Sequence, residues 1–229
     1  MRSNAYTLGF AAIVTLICSV LLASASTFLK ERQDTNIELD RKMNILKAFE
    51  LIDPEKQYTP KEVFSIFDTN LKEAVTDLKG NVIEGKKISN IGDDPNLLAL
   101  YLSDDAYCIP ISGKGLWSTI KGYLAFEKDL NTVKGLTFYS HGETPGLGGE
   151  IEKDKFTKVW KGKTILDESG NLVSITIVKG KIKPDTKQIE NKVDGISGAT
   201  LTGKGINIFV MENLKKYQPY FSKQRGTAS

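Results

Sequence analysis

Residues 3–29 contain no charged side chain, and no other property of the chain limits its fold so strongly. Arg2 precedes the run and Lys30-Glu31-Arg32 closes it. As a helix, Tyr6 to Leu29 rises roughly 36 Å at about 1.5 Å per residue. That exceeds a hydrocarbon core of about 30 Å, so the run predicts one N-terminal transmembrane helix with modest tilt. The rival reading is a cleaved signal peptide, because Ala23-Ser24-Ala25 has the small residues of a cleavage site. The length of the run, and apolar Phe28 and Leu29 beyond that site, favour the anchor. Lys30, Arg32, Arg41, Lys42 and Lys47 lie after the span, which counted alone puts the remainder in the cytoplasm. Glu31, Asp34, Glu38 and Asp40 are interspersed, and the rule weakens for long C-terminal domains, so charge leaves the side open.

Beyond the anchor the chain reads as one soluble domain. The chain has 229 residues, 40% hydrophobic and 26% charged, which suits one buried core and excludes wholesale disorder. Its 31 basic and 28 acidic residues leave a net charge of +3, with no basic cluster for nucleic acid. A single histidine, His141, and two cysteines, Cys18 and Cys108, exclude a multi-histidine or four-cysteine metal site by counting. Cys18 lies inside the apolar run, so pairing it with Cys108 is implausible. The expected divisions are an anchor over 1–29, an amphipathic connecting helix over 30–52 and a soluble domain over 53–229.

Within that domain the patterns alternate. Ile37, Met43, Leu46 and Phe49 recur at near-helical spacing between Thr35 and Leu51. Thr59-Pro60-Lys61-Glu62 has a Thr N-cap, Pro at N1 and Glu at N3, a capping box opening a short helix through Phe64, Ile66 and Phe67. Strands are expected at Leu97–Leu102, Tyr107–Ser112, Ile120–Phe126, Val133–Ser140 and Leu172–Val178. In the last, Val173, Ile175 and Ile177 should share one face. A short helix is expected at Lys153–Trp160 and a final one from Thr202 to Tyr217, with Ile206, Phe209, Val210 and Leu214 on one side. Strands joined by short turns, with helices at the ends, indicate an α+β fold with a mixed or antiparallel sheet and flanking helices.

Three segments can carry chemistry. Asp194-Gly195-Ile196-Ser197-Gly198-Ala199-Thr200 is a turn of small residues feeding the last helix, whose free N–H groups and dipole favour an anion such as phosphate. The same spacing fits plain N-capping. His141-Gly142-Glu143-Thr144-Pro145-Gly146-Leu147-Gly148-Gly149-Glu150 comes after a strand, and its glycines let backbone pass close to something flat or bulky. A complex turn around a structural histidine explains it equally well. Gly113-Lys114-Gly115-Leu116-Trp117-Ser118 places a tryptophan where it can stack on a planar ligand or staple the sheet.

Together with Asn131-Thr132-Val133-Lys134-Gly135-Leu136 and the continuation Leu201-Thr202, these segments occur in an order that resembles the C subunit of the sodium-translocating NADH:quinone oxidoreductase family. The G subunit of the ion-translocating ferredoxin:NAD oxidoreductase shares the Ser-Gly-Ala-Thr type of motif and is the nearest alternative. A membrane-anchored scaffold without redox function and a stand-alone exported flavin reductase are further readings. The resemblance implies FMN attached through a phosphoester to Thr200 by a separate flavin transferase that takes FMN from FAD. It implies Ser197, Gly198, Ala199, Leu201 and Thr202 along the attachment segment, Thr144 and Leu147 against the isoalloxazine, and Trp117 and Lys179 nearby. No residue is required as a catalytic base. It implies a single-pass flavoprotein of the bacterial inner membrane, its domain on the periplasmic side. The other members of a redox complex are its partners, and electrons pass from NADH toward quinone with Na⁺ export.

Overall fold

The computed structural model describes residues 3–227 apart from Asp93 and Pro184; Arg2, the cation before the apolar run, lies outside them. The chain divides into two units, Met1–Arg41 and Lys42–Ser229. Helix α1 spans Asn4–Ala48, and in it the 18-residue apolar window has a mean hydropathy of 2.4 and no buried residue. That length and composition suffice to cross a membrane. The hydroxyls of Thr15 and Thr27 donate to the carbonyls of Ala11 and Ala23, both over 2.9 Å, so these two hydroxyls are satisfied within the helix.

In the second unit the chain first buries Ile45, Leu46, Ala48 and Phe49. Helix α2 (Pro60–Asn70) then starts as its sequence dictates. Thr59 Oγ1 accepts from the Glu62 N–H at 3.4 Å, and Glu62 Oε2 accepts from the Thr59 N–H at 2.7 Å. Its inward residues, Val63 and Phe67, are buried, and the Phe67 ring meets Tyr101 edge-on at 6.3 Å.

The sheet is an antiparallel meander of five strands in sequence order: β1 (Lys72–Asp77), β2 (Leu97–Leu102), β3 (Ala106–Lys114), β4 (Thr119–Glu127) and β5 (Val133–Ser140). After β5 come helix α3 (Asp154–Thr157) and a parallel pair, β6 (Thr176–Ile177) with β7 (Lys192–Val193). Helix α4 (Thr200–Thr227) closes the fold. Its inner face, Ile206, Phe209, Val210, Leu214, Tyr217 and Phe221, joins Leu100, Ile109, Ile111, Ile120, Leu124 and Phe126 of the sheet in one core. Each such side chain contributes about 1.5–3 kcal/mol by leaving water.

Three elements depart from the sequence pattern. The expected strand Leu172–Val178 shrinks to Thr176–Ile177, because Ser174 adopts φ +63° and both Val173 and Ser174 donate to the Ile165 carbonyl. That left-handed residue buries Ser174 and breaks the two-residue alternation. The final helix runs ten residues past Tyr217, through Pro219. Burial of Tyr220 and Phe221 offsets the backbone bond that proline cannot make. The expected helix Lys153–Trp160 is α3 plus a 3₁₀ turn at Lys158–Trp160, anchored by fully buried Trp160.

Candidate functional site

The antiparallel register gathers the glycine-rich segments at one end of the sheet. The β3–β4 ladder ends at Lys114 and Thr119, and Gly115 N–H donates across the tip to the Ser118 carbonyl at 2.8 Å. The β4–β5 ladder pairs Lys121 with Ser140, so the loop beginning at His141 leaves the sheet beside that hairpin tip. There Gly142 N–H donates to Ser118 Oγ at 2.5 Å. Helix α4 lies along β3, with Asn213 Nδ2 donating to the Ser112 carbonyl at 2.9 Å. Its N-terminus therefore reaches the same end.

Thr200 is the first residue of α4 and is exposed. The residue before it, Ala199, is buried and carries no side-chain oxygen. The first-turn N–H groups of α4 thus lack the reciprocal side-chain cap that α2 receives from Thr59 and Glu62. Such a turn suits an anion. Gly198 sets the approach at φ +74°, and a Cβ on it would lie 2.5 Å from Leu147 Cδ2. Glycine supplies both the left-handed turn and the space in which Leu147 rests. Asp194 Oδ1 accepts from the Ile182 N–H at 2.7 Å and braces the start of the segment.

Beside Thr200 opens a cavity of about 310 Å³, within the range of small-molecule sites. Its lining includes Thr200, Ala199, Lys179, Lys204, Ile177 and Phe156. The wall between β6 and α4 is tied by Asn207. Its Oδ1 accepts from the Ile177 N–H at 2.8 Å and its Nδ2 donates to the Ile177 carbonyl at 3.0 Å.

Glu143 joins the three segments. It is buried, and Oε2 accepts from the Thr202 hydroxyl at 2.6 Å. Oε1 accepts from the N–H groups of Trp117 at 2.9 Å and Ser118 at 3.4 Å. Burial by itself pushes this carboxyl up. The Thr202 hydroxyl and the backbone N–H groups of Trp117, Ser118 and Leu116 outweigh it and hold the group below the ordinary glutamate value. His141 Nδ1 accepts from the Glu143 N–H at 3.3 Å, and its Nε2 lies 3.3 Å from Glu152 Oε2. Histidine and glutamate here shape the loop.

Of the residues expected from sequence, Thr200, Ala199 and Lys179 line the cavity. Ser197, Gly198 and Leu201 flank Thr200 outside its lining, and Thr202 turns inward to Glu143. Thr144 is exposed, and its carbonyl accepts from the N–H groups of Leu147 and Gly149. Trp117 stands 71% exposed on the hairpin tip, while Leu147 and Leu201 are 43% and 56% exposed. Of these apolar side chains, Leu147 lies against Gly198 and Leu201 follows Thr200 in the chain. Sequence reasoning missed Lys204 and Asn207. Lys204 had a signal, one helical turn after Thr200 on its face; Asn207, an amide on the inner side of α4, also had one.

Known proteins share the fold and much of the sequence. The FMN-binding domain family matches residues 115–215. The C subunit of the Na⁺-translocating NADH-quinone reductase of Pseudomonas aeruginosa is 35% identical over 236 residues, covering 90% of this chain and 89% of its own. Its Yersinia pestis counterpart is 32% identical, with 94% and 91% covered. Among crystal structures, the C subunit from Parabacteroides distasonis superposes with a TM-score of 0.74 at 27% identity, covering 85% of this chain and 97% of its own. NqrC of Shewanella oneidensis gives 0.70 at 28% identity, with 85% and 99% covered.

Proposed function

This chain belongs to the C-subunit family of the Na⁺-translocating NADH-quinone reductase, and on that footing we propose that it carries FMN in phosphoester linkage to Thr200 and relays electrons from NADH toward quinone. The observation that carries the reading is the position of the Thr200 hydroxyl. It is exposed, at an N-terminal turn without a side-chain cap on Ala199, on the lining of a cavity that also holds Lys179 and Lys204. A phosphodiester there would keep one negative charge, and the first-turn N–H groups and both lysines favour it.

Threonine is a weak nucleophile unaided. A separate flavin transferase therefore makes the link: the Thr200 Oγ–phosphorus bond forms, the diphosphate bond of FAD breaks, AMP leaves and the transferase takes the hydroxyl proton. Ser197, Gly198 and Ala199 keep the segment small enough to enter another enzyme. FMN, when bound, supplies one- and two-electron exchange. The protein's part is to hold the group, with Thr144, Leu147 and Trp117 toward its ring and Leu201 and Thr202 along the attachment segment, and to set its electrostatics.

The apolar stretch of α1 anchors the chain as a single pass in the bacterial inner membrane, with the domain on the periplasmic side, among the other members of the complex. The anchor, connecting helix and domain divide at 1–29, 30–52 and 53–229. Intact mass under denaturing conditions tests the reading, on full-length chain co-expressed with a flavin transferase. The expected result is a gain of one FMN less one water, absent in Thr200→Ala. An unmodified mass beside an active transferase overturns the covalent link.

A further inference from the structure

Glu143 has no chemical task in flavin attachment or electron relay, yet the site is built around it. Its carboxylate is bound only by neutral donors: the Thr202 hydroxyl and the backbone of the hairpin tip. Among the described residues no lysine, arginine or histidine forms an ion pair with it. Space is kept for it on two sides. A Cβ on Gly115 would lie 2.6 Å from Oε1, and one on Gly148 would lie 3.0 Å from Oε2 and 2.6 Å from Thr202 Oγ1. A joint needing only hydrogen bonds does not need a net charge, and a buried charge without a counter-ion is costly to keep.

We propose that Glu143 is a positioning residue with an electrostatic role: its buried negative charge lowers the midpoint potential of the flavin held beside it. The inference rests on the reading of this site as the FMN site. Its physical basis is position. Thr202 is two residues from Thr200, the Trp117 N–H points at the carboxylate, and Thr144 is the next residue in the chain. Adding an electron to a group among these residues sets negative charge near negative charge. Glu143 is only 4% exposed, so the repulsion is screened less than at the surface.

Glu143→Gln separates charge from geometry. The amide oxygen can accept from the Trp117 and Ser118 N–H groups, and the amide nitrogen can donate to the Thr202 hydroxyl, which both gives and accepts. Thr202→Val does the converse, keeping the charge and removing the 2.6 Å bond that stabilises it. The experiment takes full-length chain with bound flavin, scores attachment by intact mass, and measures the midpoint by redox titration of the visible flavin absorbance. Glu84→Gln, an exposed glutamate beyond β1, controls for net charge.

The expected result is a higher midpoint in Glu143→Gln, no change in Glu84→Gln, and an unchanged or lower midpoint in Thr202→Val. A midpoint in Glu143→Gln equal to that of the parent overturns the proposal. So does an upward shift in Thr202→Val, which would mark loosening of the joint as the cause and decides the matter even if Glu143→Gln fails to fold. Flavin bound with Thr200 unmodified would overturn the covalent link alone, since the titration still reads Glu143. A chain without flavin in any form would overturn both.

Discussion

Asn207 and Ile177 exchange both of their amide bonds: the side chain of α4 accepts from the strand N–H at 2.8 Å and donates to the strand carbonyl at 3.0 Å. The pair does the work of a missing neighbouring strand. β6 is two residues long and borders only β7, so its other edge would otherwise present bare backbone to the core and the cavity. The contact also fixes one cavity wall to the helix that begins at Thr200.

Asn207→Ala therefore leaves two backbone groups without partners beside buried Ile175 and Ile177. Each costs about 1–3 kcal/mol if water does not reach it. Urea unfolding of the full chain in detergent should show a loss within that range for the pair, because the cavity admits some water. Asn207→Asp should restore one bond of the two. A variant as stable as the parent would mean that the strand edge is hydrated.

Gly198 tests the backbone of the turn that leads into α4. At φ +74° an alanine is strained by about 1–3 kcal/mol. Its Cβ also meets Leu147 Cδ2, the mobile end of a half-exposed side chain. The conformational cost should dominate, so Gly198→Ala in a Leu147→Ala background should stay nearly as destabilised as the single variant. A double-mutant cycle on thermal unfolding measures this. Full rescue by Leu147→Ala would show that contact, rather than φ, sets the cost. Gly198→Asn should be the mildest change, since asparagine enters the left-handed region more readily.

Under the proposed link to Thr200, Lys204 and Lys179 should act on the rate of flavin attachment. Both are exposed on the cavity lining that contains Thr200. A surface cation near a helix-terminal anion is worth roughly 0.3–1 kcal/mol at low salt. Lys204→Ala should thus slow modification by up to about fivefold, and the difference should shrink as salt is raised. Time courses of intact mass at two ionic strengths check this. A salt-independent effect would point to recognition of the transferase instead.

These residues also show how far sequence reaches. The capping box at Thr59 and Glu62, the strands β2 and β5, and the inner face of α4 are legible because each is specified locally: a cap, an alternation, a helical period. The strand β1 escapes because Lys72, Glu73 and Asp77 are charged and only Val75 and Thr76 are buried. Ser174 escapes because nothing nearby announces a left-handed serine; the Ile165 carbonyl, nine residues earlier, draws two N–H groups and enforces it. At the site, the glycine-rich segments are visible singly as motifs. Their meeting at Glu143 is not, since it depends on the β3–β4–β5 register and joins residues 59 positions apart.

That joint should also respond to acid, and its bonds give the sign. Burial opposes ionisation of Glu143, but the Thr202 hydroxyl and three backbone N–H groups prevail, so its pKa in the fold lies below the ordinary 4.5. A carboxyl whose folded value is depressed binds protons more readily when unfolded. Its contribution is therefore fully present above about pH 4.5 and is lost as pH falls through the lower folded value. Glutamine in its place cannot titrate. The stability difference between the parent and Glu143→Gln should be constant from neutral pH down to the upper edge of that window, then drift against the parent as acid is added. Thr202→Val, which removes the strongest of the opposing bonds, should raise the folded value, so that in its background the drift starts at the same pH but is smaller and ends at higher pH. Urea unfolding across the acid range gives both curves, and a drift equally large with and without the Thr202 hydroxyl would show that the hydroxyl does not hold the carboxylate.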